Sequence, residues 1–99
     1  MKTITVYNGK KAINQVLRET VKLNCQLDDN INYKIVCGPS NLQNILYLKV
    51  YQVGSKSELY FINLYYGFVE QWDGNKLVNK TSLKLYNGYD FYKINRHEE

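Results

Sequence analysis

Two periods divide this chain. Thr3-Ile4-Thr5-Val6-Tyr7 alternates apolar and polar positions in steps of two and is β-branched, the pattern of a short strand. Asn8-Gly9 interrupts it, and from Lys10 the period lengthens. Ile13, Val16, Leu17, Thr20, Val21 and Asn24 recur at i, i+3, i+4 and i+7, while Lys11, Gln15, Arg18, Glu19 and Lys22 occupy the opposite side. The spacing predicts an amphipathic helix over 10–24 with Asn8 as its N-cap.

After a polar loop at Leu27-Asp28-Asp29-Asn30 the period returns to two. Ile31, Tyr33, Ile35 and Cys37 form one apolar parity, and Gly38-Pro39-Ser40-Asn41 is a turn. Ile45 to Val53 places Leu46, Leu48 and Val50 against Tyr47, Lys49 and Tyr51. Gly54-Ser55-Lys56-Ser57 reads as a hairpin turn. Leu59 to Val69 reads as the longest strand, apolar on both faces and therefore central in its sheet. Asp73-Gly74 and Asn87-Gly88 are type I′ hairpin signals. They delimit strands near Lys76–Asn79, Leu83–Tyr86 and Tyr89–Ile94, and 96–99 should fray. The expected architecture is α+β: a single helix in the N-terminal half, packed on an antiparallel meander sheet of five to six strands. All 99 residues form one compact domain in this reading, with no linker, repeat or low-complexity stretch.

Composition changes how far the polar positions can be read. Lys, Asn, Ile and Tyr make up 40 of the 99 residues, and Lys outnumbers Arg 11 to 2. These residues have AT-rich codons, so coding bias toward an AT-rich genome enriches Lys and Tyr without regard to chemistry. Net charge is +4 with a pI of about 9.0. Residues 1–22 and 76–96 each carry +4, whereas 51–75 carry −2. A DNA-mimicking inhibitor, which needs a strongly acidic surface, is excluded. No apolar run approaches the length of a transmembrane helix, and the first ten residues lack the apolar core of a secretory leader. With only Cys25 and Cys37, this predicts two free thiols in a reducing, cytoplasmic setting.

Candidate chemistry is sparse. His97, the only histidine, is the third residue from the end, and neither cysteine has a histidine to activate it. No catalytic set, cofactor motif or metal-ligand spacing is present, so a non-enzymatic protein without cofactor or metal is expected. Asp28-Asp29 reads as a solvated turn rather than a calcium loop. Lys10 and Lys11 at the expected helix start form a candidate anion site, because helix N-termini attract anions. Glu70, Trp72 and Asp73 cluster at a hairpin end, where they could meet a sugar or a partner's cation.

The broader candidate is a tyrosine- and lysine-bearing strand surface. Tyr47, Lys49 and Tyr51 share one parity, Lys84 and Tyr86 share another, and Trp72 extends the set. Aromatic residues of this kind dominate protein contact surfaces. The expected function is therefore a small protein-binding module. In an AT-rich genome this suggests a phage or mobile-element inhibitor of a host or defence protein, anti-CRISPR-like in role, whose target could be a nucleoprotein. The alternative is single-stranded nucleic-acid binding by the Tyr/Lys face and the basic ends. A homodimer through an uncovered face or edge suits either reading, and no membrane partner is expected.

Overall fold

The computed structural model describes residues 3–39 and 44–92. They form one helix packed on a six-stranded sheet, with strands in chain order from edge to edge. The strands are β1 (Ile4–Tyr7), β2 (Tyr33–Gly38), β3 (Tyr47–Gln52), β4 (Glu58–Asn63), β5 (Phe68–Asp73) and β6 (Lys76–Ser82). The helix α1 (Asn14–Asn24) links β1 to β2, which pair in parallel; every later pair is antiparallel. The sequence reading of an antiparallel meander therefore holds from β2 onward. The parallel first pair follows from the helix, since parallel neighbours need a long crossover.

The helix starts later than the periodicity suggests. Asn8 has φ of 61° and lies outside the helix, so it does not cap it. A turn over 10–13, closed by Ile13 N–H on the Lys10 carbonyl at 2.9 Å, comes first. Helical bonding then begins with Leu17 N–H donating to Ile13 at 3.0 Å. Leu17, Thr20 and Val21 are buried, as the i, i+3, i+4 pattern requires. Thr20 is satisfied by donating its hydroxyl to the Val16 carbonyl at 2.7 Å. Cys25, in extended conformation, ends the helix.

The core lies between α1 and one face of β1–β5. Leu17, Val21, Ile35, Leu48, Val50 and Ile62 are fully buried there. Two tyrosines on this face also fasten the loop after the helix. Tyr60 Oη accepts from Gln26 N–H at 3.1 Å, and Tyr33 Oη accepts from Asp28 N–H at 2.8 Å. Each ring is buried while its hydroxyl satisfies a backbone donor.

Three expected strands are corrected. Leu59–Val69 is not continuous: β4 stops at Asn63 and β5 starts at Phe68. The tight turn between them needs the positive φ of Gly67, 81°, and is closed by Gly67 N–H on Asn63 O at 2.9 Å and Tyr66 N–H on Asn63 Oδ1 at 2.8 Å. An unbroken apolar run with a single glycine hides such a reversal. Chain reversal also changes the faces, so that Val69 pairs with Ile62 and Phe68 with Asn63.

The segments 83–86 and 89–92 are not strands either. β6 runs to Ser82, and the chain then crosses to the helix side of the sheet. Asn24 holds it there, accepting from Lys84 N–H at 2.8 Å and donating to Lys84 O at 2.9 Å. Leu83, Phe91 and Tyr92 pack on the core, and Tyr92 Oη donates to Ile45 O at 2.9 Å. The Asn87-Gly88 turn does form, with positive φ at both residues and Tyr89 N–H on Tyr86 O at 2.9 Å, but no strands flank it. In the β5–β6 hairpin the central residues are Gly74-Asn75, with Asp73 opposite Lys76. Positive φ there falls on Gly74 alone, so the turn is not type I′. Ser40, Asn41, His97, the expected frayed end 96–99 and the far end of the Tyr89–Ile94 strand lie outside the described residues. No helix among the described residues is long and apolar enough to cross a membrane.

Candidate partner-binding face

Strand alternation sends every second side chain away from the helix. The hydrogen-bond register arranges these side chains in rows. Tyr7, Val36, Lys49, Phe61, Glu70 and Lys80 follow one another from β1 to β6. On one side of that row run Thr5, Lys34, Tyr51 and Glu58; on the other run Gly38, Tyr47, Asn63, Phe68 and Ser82. Because α1 and the segment after β6 both pack on the opposite face, nothing among the described residues is laid over these rows.

The rings shelter one another. Tyr47 and Phe61 lie 5.4 Å apart and Phe61 and Phe68 6.2 Å apart, centroid to centroid. The Tyr47 ring lies directly on Gly38, leaving no room for a Cβ there. Lysines cover the rings further. Lys80 Nζ stands 4.3 Å from the Phe68 centroid, Lys34 5.3 Å from Tyr51 and Lys49 5.6 Å from Tyr47. Such contacts contribute about 0.5–1 kcal/mol each at exposed sites and keep lysine stems flat on apolar surface. The centre of the face, at Tyr47, Lys49, Tyr51, Phe61 and Phe68, is thus half-buried by its own side chains, while Thr5, Tyr7, Lys80 and Ser82 toward its edges are exposed.

Two carboxylates stand among these groups. Trp72 Nε1 donates to Glu70 Oε1 at 3.2 Å, which fixes the indole at the hairpin end. Glu58 faces Trp72 across an open hollow of about 430 Å³ that Lys56, Ser57, Gly74 and Asn75 complete. Burial pushes the Glu58 carboxyl up, Lys49 opposes that shift and Glu70 adds to it.

The structure gathers Tyr47, Lys49, Tyr51 and Trp72 from the expected set. It separates Lys84 and Tyr86 from them, because the strand that would have carried both does not form. The Lys84 backbone is held instead by Asn24 at the C-terminal end of α1, where Lys84 and Lys22 line the same hollow. Lys10 and Lys11 are exposed in the turn before the helix, and Lys10 borders a hollow with Asp90 and Tyr92. Among the described residues, Lys10 and Lys11 therefore stand at the opposite end of α1 from Lys22, and of these three only Lys22 shares a hollow with a lysine of the second basic segment, Lys84. Lys34, Phe61, Phe68 and Lys80 belong to the face but escape sequence reading. Phe61 and Phe68 stand seven apart in one apparent strand, so parity assigns them to opposite faces until the turn at Gly67 is known. Cys25 and Cys37 are buried and unbridged, with their thiols pushed up to about 12 and about 11 by burial.

Compared with known protein families, curated proteins and solved structures, the chain matches none.

Proposed function

We propose that this protein is a binding module that engages a partner protein through the sheet face opposite its helix. The observation that carries this reading is the concentration of Tyr47, Tyr51, Phe61, Phe68 and Trp72 on a face that nothing among the described residues covers. Rings held in place by neighbouring rings and lysine stems lose little freedom on contact, which favours them as interface anchors. An inhibitor of a host or defence protein, such as a phage or mobile element would carry, acts in this way by covering its target's surface.

The test compares the full chain with a Tyr51→Ala/Phe61→Ala/Trp72→Ala variant, both immobilised and exposed to lysate of the host cell. Circular dichroism first establishes that the variant is folded. The reading expects a stoichiometric partner on the parent chain that the variant loses. Absence of a partner on the parent, or equal retention by both, overturns it.

Nucleic-acid binding is less well served by this geometry. Glu58 and Glu70 interrupt the face, and the lysines lie over the rings on which bases would stack. Oligonucleotides are expected to bind weaker than about micromolar even at low salt, where phosphate contacts are strongest.

A further inference from the structure

The last strand, β6, closes the sheet on one side, and all seven of its residues are exposed. The opposite edge is different. β1 has four residues, and the Arg18 guanidinium occupies the Ile4 carbonyl at 2.9 Å. On β6 the outward N–H and C=O groups have no strand partner among the described residues. An edge of this kind accepts a further strand.

Its surroundings select the chemistry of that strand. Asn79 and Thr81 face a groove of about 480 Å³ between β5–β6 and the end of α1. Lys22 and Lys84 also line this groove, and no carboxylate does. Lys22 has a neighbour in Glu19 at 3.4 Å, on the same helix. Elsewhere on β6 the lysines are matched in register, Lys80 on the aromatic face by Glu70 and Lys76 at the hairpin end by Asp73. The groove side therefore carries lysines with no carboxylate opposite them in register: Lys84, and Lys22, whose pair with Glu19 is an exposed one along the helix. A second copy of this chain is a poor occupant, because β6 carries Lys76 and Lys80 and no carboxylate, so self-pairing sets lysine near lysine.

We infer that β6 receives an extended acidic segment of a partner protein as a seventh strand, with alternate carboxylates entering the groove toward Lys22 and Lys84. The backbone groups of β6 supply the pairing, and the two lysines select the acidic parity. This site is separate from the aromatic face and stands or falls independently of it.

A blocked seven-residue peptide alternating glutamate and threonine, fluorescently labelled, is the probe. Titration of the full chain should show it binding at least about tenfold tighter than the same peptide with lysine for glutamate, as expected where complementary charges meet. Lys22→Gln and Lys84→Gln should each weaken it about threefold, the worth of one exposed ion pair. N-methylation along one edge of the peptide should abolish binding, and amide exchange should slow over 76–82. Equal binding of the lysine peptide, indifference to N-methylation or no measurable binding overturns the proposal. So does sedimentation showing that β6 is already taken by a second copy. A Tyr51→Ala/Phe61→Ala/Trp72→Ala variant should bind the peptide as the parent does, which separates this outcome from that of the aromatic face.

Discussion

The two faces of one sheet solve different problems with alternating residues of the same strands. Toward the helix, β2–β4 present Ile35, Cys37, Leu48, Val50 and Ile62, all with essentially no exposure. Away from it the same strands present Lys34, Tyr47, Lys49, Tyr51 and Phe61, all half-buried. A covered face must interlock with another layer, so compact branched chains suit it. An uncovered face must limit wet apolar area alone, and here rings lean on rings beneath lysine stems. The difference separates what stabilises the chain from what is available for contact.

The largest expected effect breaks the covered face. Leu48→Ala opens a cavity where exposure is zero and should cost about 2–5 kcal/mol, whereas Phe61→Ala should cost only about 1 kcal/mol. Urea unfolding followed by circular dichroism measures both. Equal losses would mean that the outer rings are as structural as the core.

Alkali acts next, through the buried thiols of the covered face. Both Cys25 and Cys37 have folded pKa values raised above the ordinary 9.0, so the folded state keeps protons that the unfolded chain releases. Their contribution is fully present below about pH 9 and is lost as pH rises toward 11–12. The loss should approach about 1.4 kcal/mol per thiol per pH unit inside that window. Urea midpoints taken at pH 8, 9.5 and 10.5 in reducing buffer should fall progressively. A Cys25→Ala/Cys37→Ala variant should show a flatter decline.

These two effects concern elements that periodicity made legible. The helix face, the β2 and β3 parities and the burial of Cys37 follow directly from the spacing of apolar residues. Elements that depend on long-range bonds were not legible. Nothing local in Leu83–Tyr86 distinguishes a strand from a segment that Asn24, sixty residues earlier, holds by its backbone. The Leu59–Val69 run has the same difficulty, because only the Asn63 side chain and Gly67 turn it back. Half of the candidate face was readable, since Tyr47, Lys49 and Tyr51 lie on one strand. Phe61, Phe68 and Lys80 required the register of three strands.

The Asn24 contact tests how far the covered face extends. Asn24→Ala removes both bonds to Lys84, leaves that backbone without its partners and should cost about 1–3 kcal/mol. Amide exchange should accelerate over 83–92 more than over β2–β4. Uniform acceleration would show that this segment is as integral to the core as the strands are.

Gly38→Ala makes the smallest change and probes the uncovered face most locally. A Cβ at this buried position meets the Tyr47 ring, not backbone, so the ring must tilt outward. Overpacking of this kind costs about 1–3 kcal/mol in a closed core, but Tyr47 is only half-buried, beneath the flexible Lys49 side chain, and the expected loss is about 1 kcal/mol. The displaced ring also moves against Phe61 and under Lys49, since the three are in contact. Chemical shifts of Tyr47, Lys49 and Phe61 should therefore change together while those of Leu48 and Val50 stay nearly fixed. Shifts that spread to Leu48 and Val50 would show the two faces to be mechanically coupled through β3. A partner bound on the rings would then be felt in the core.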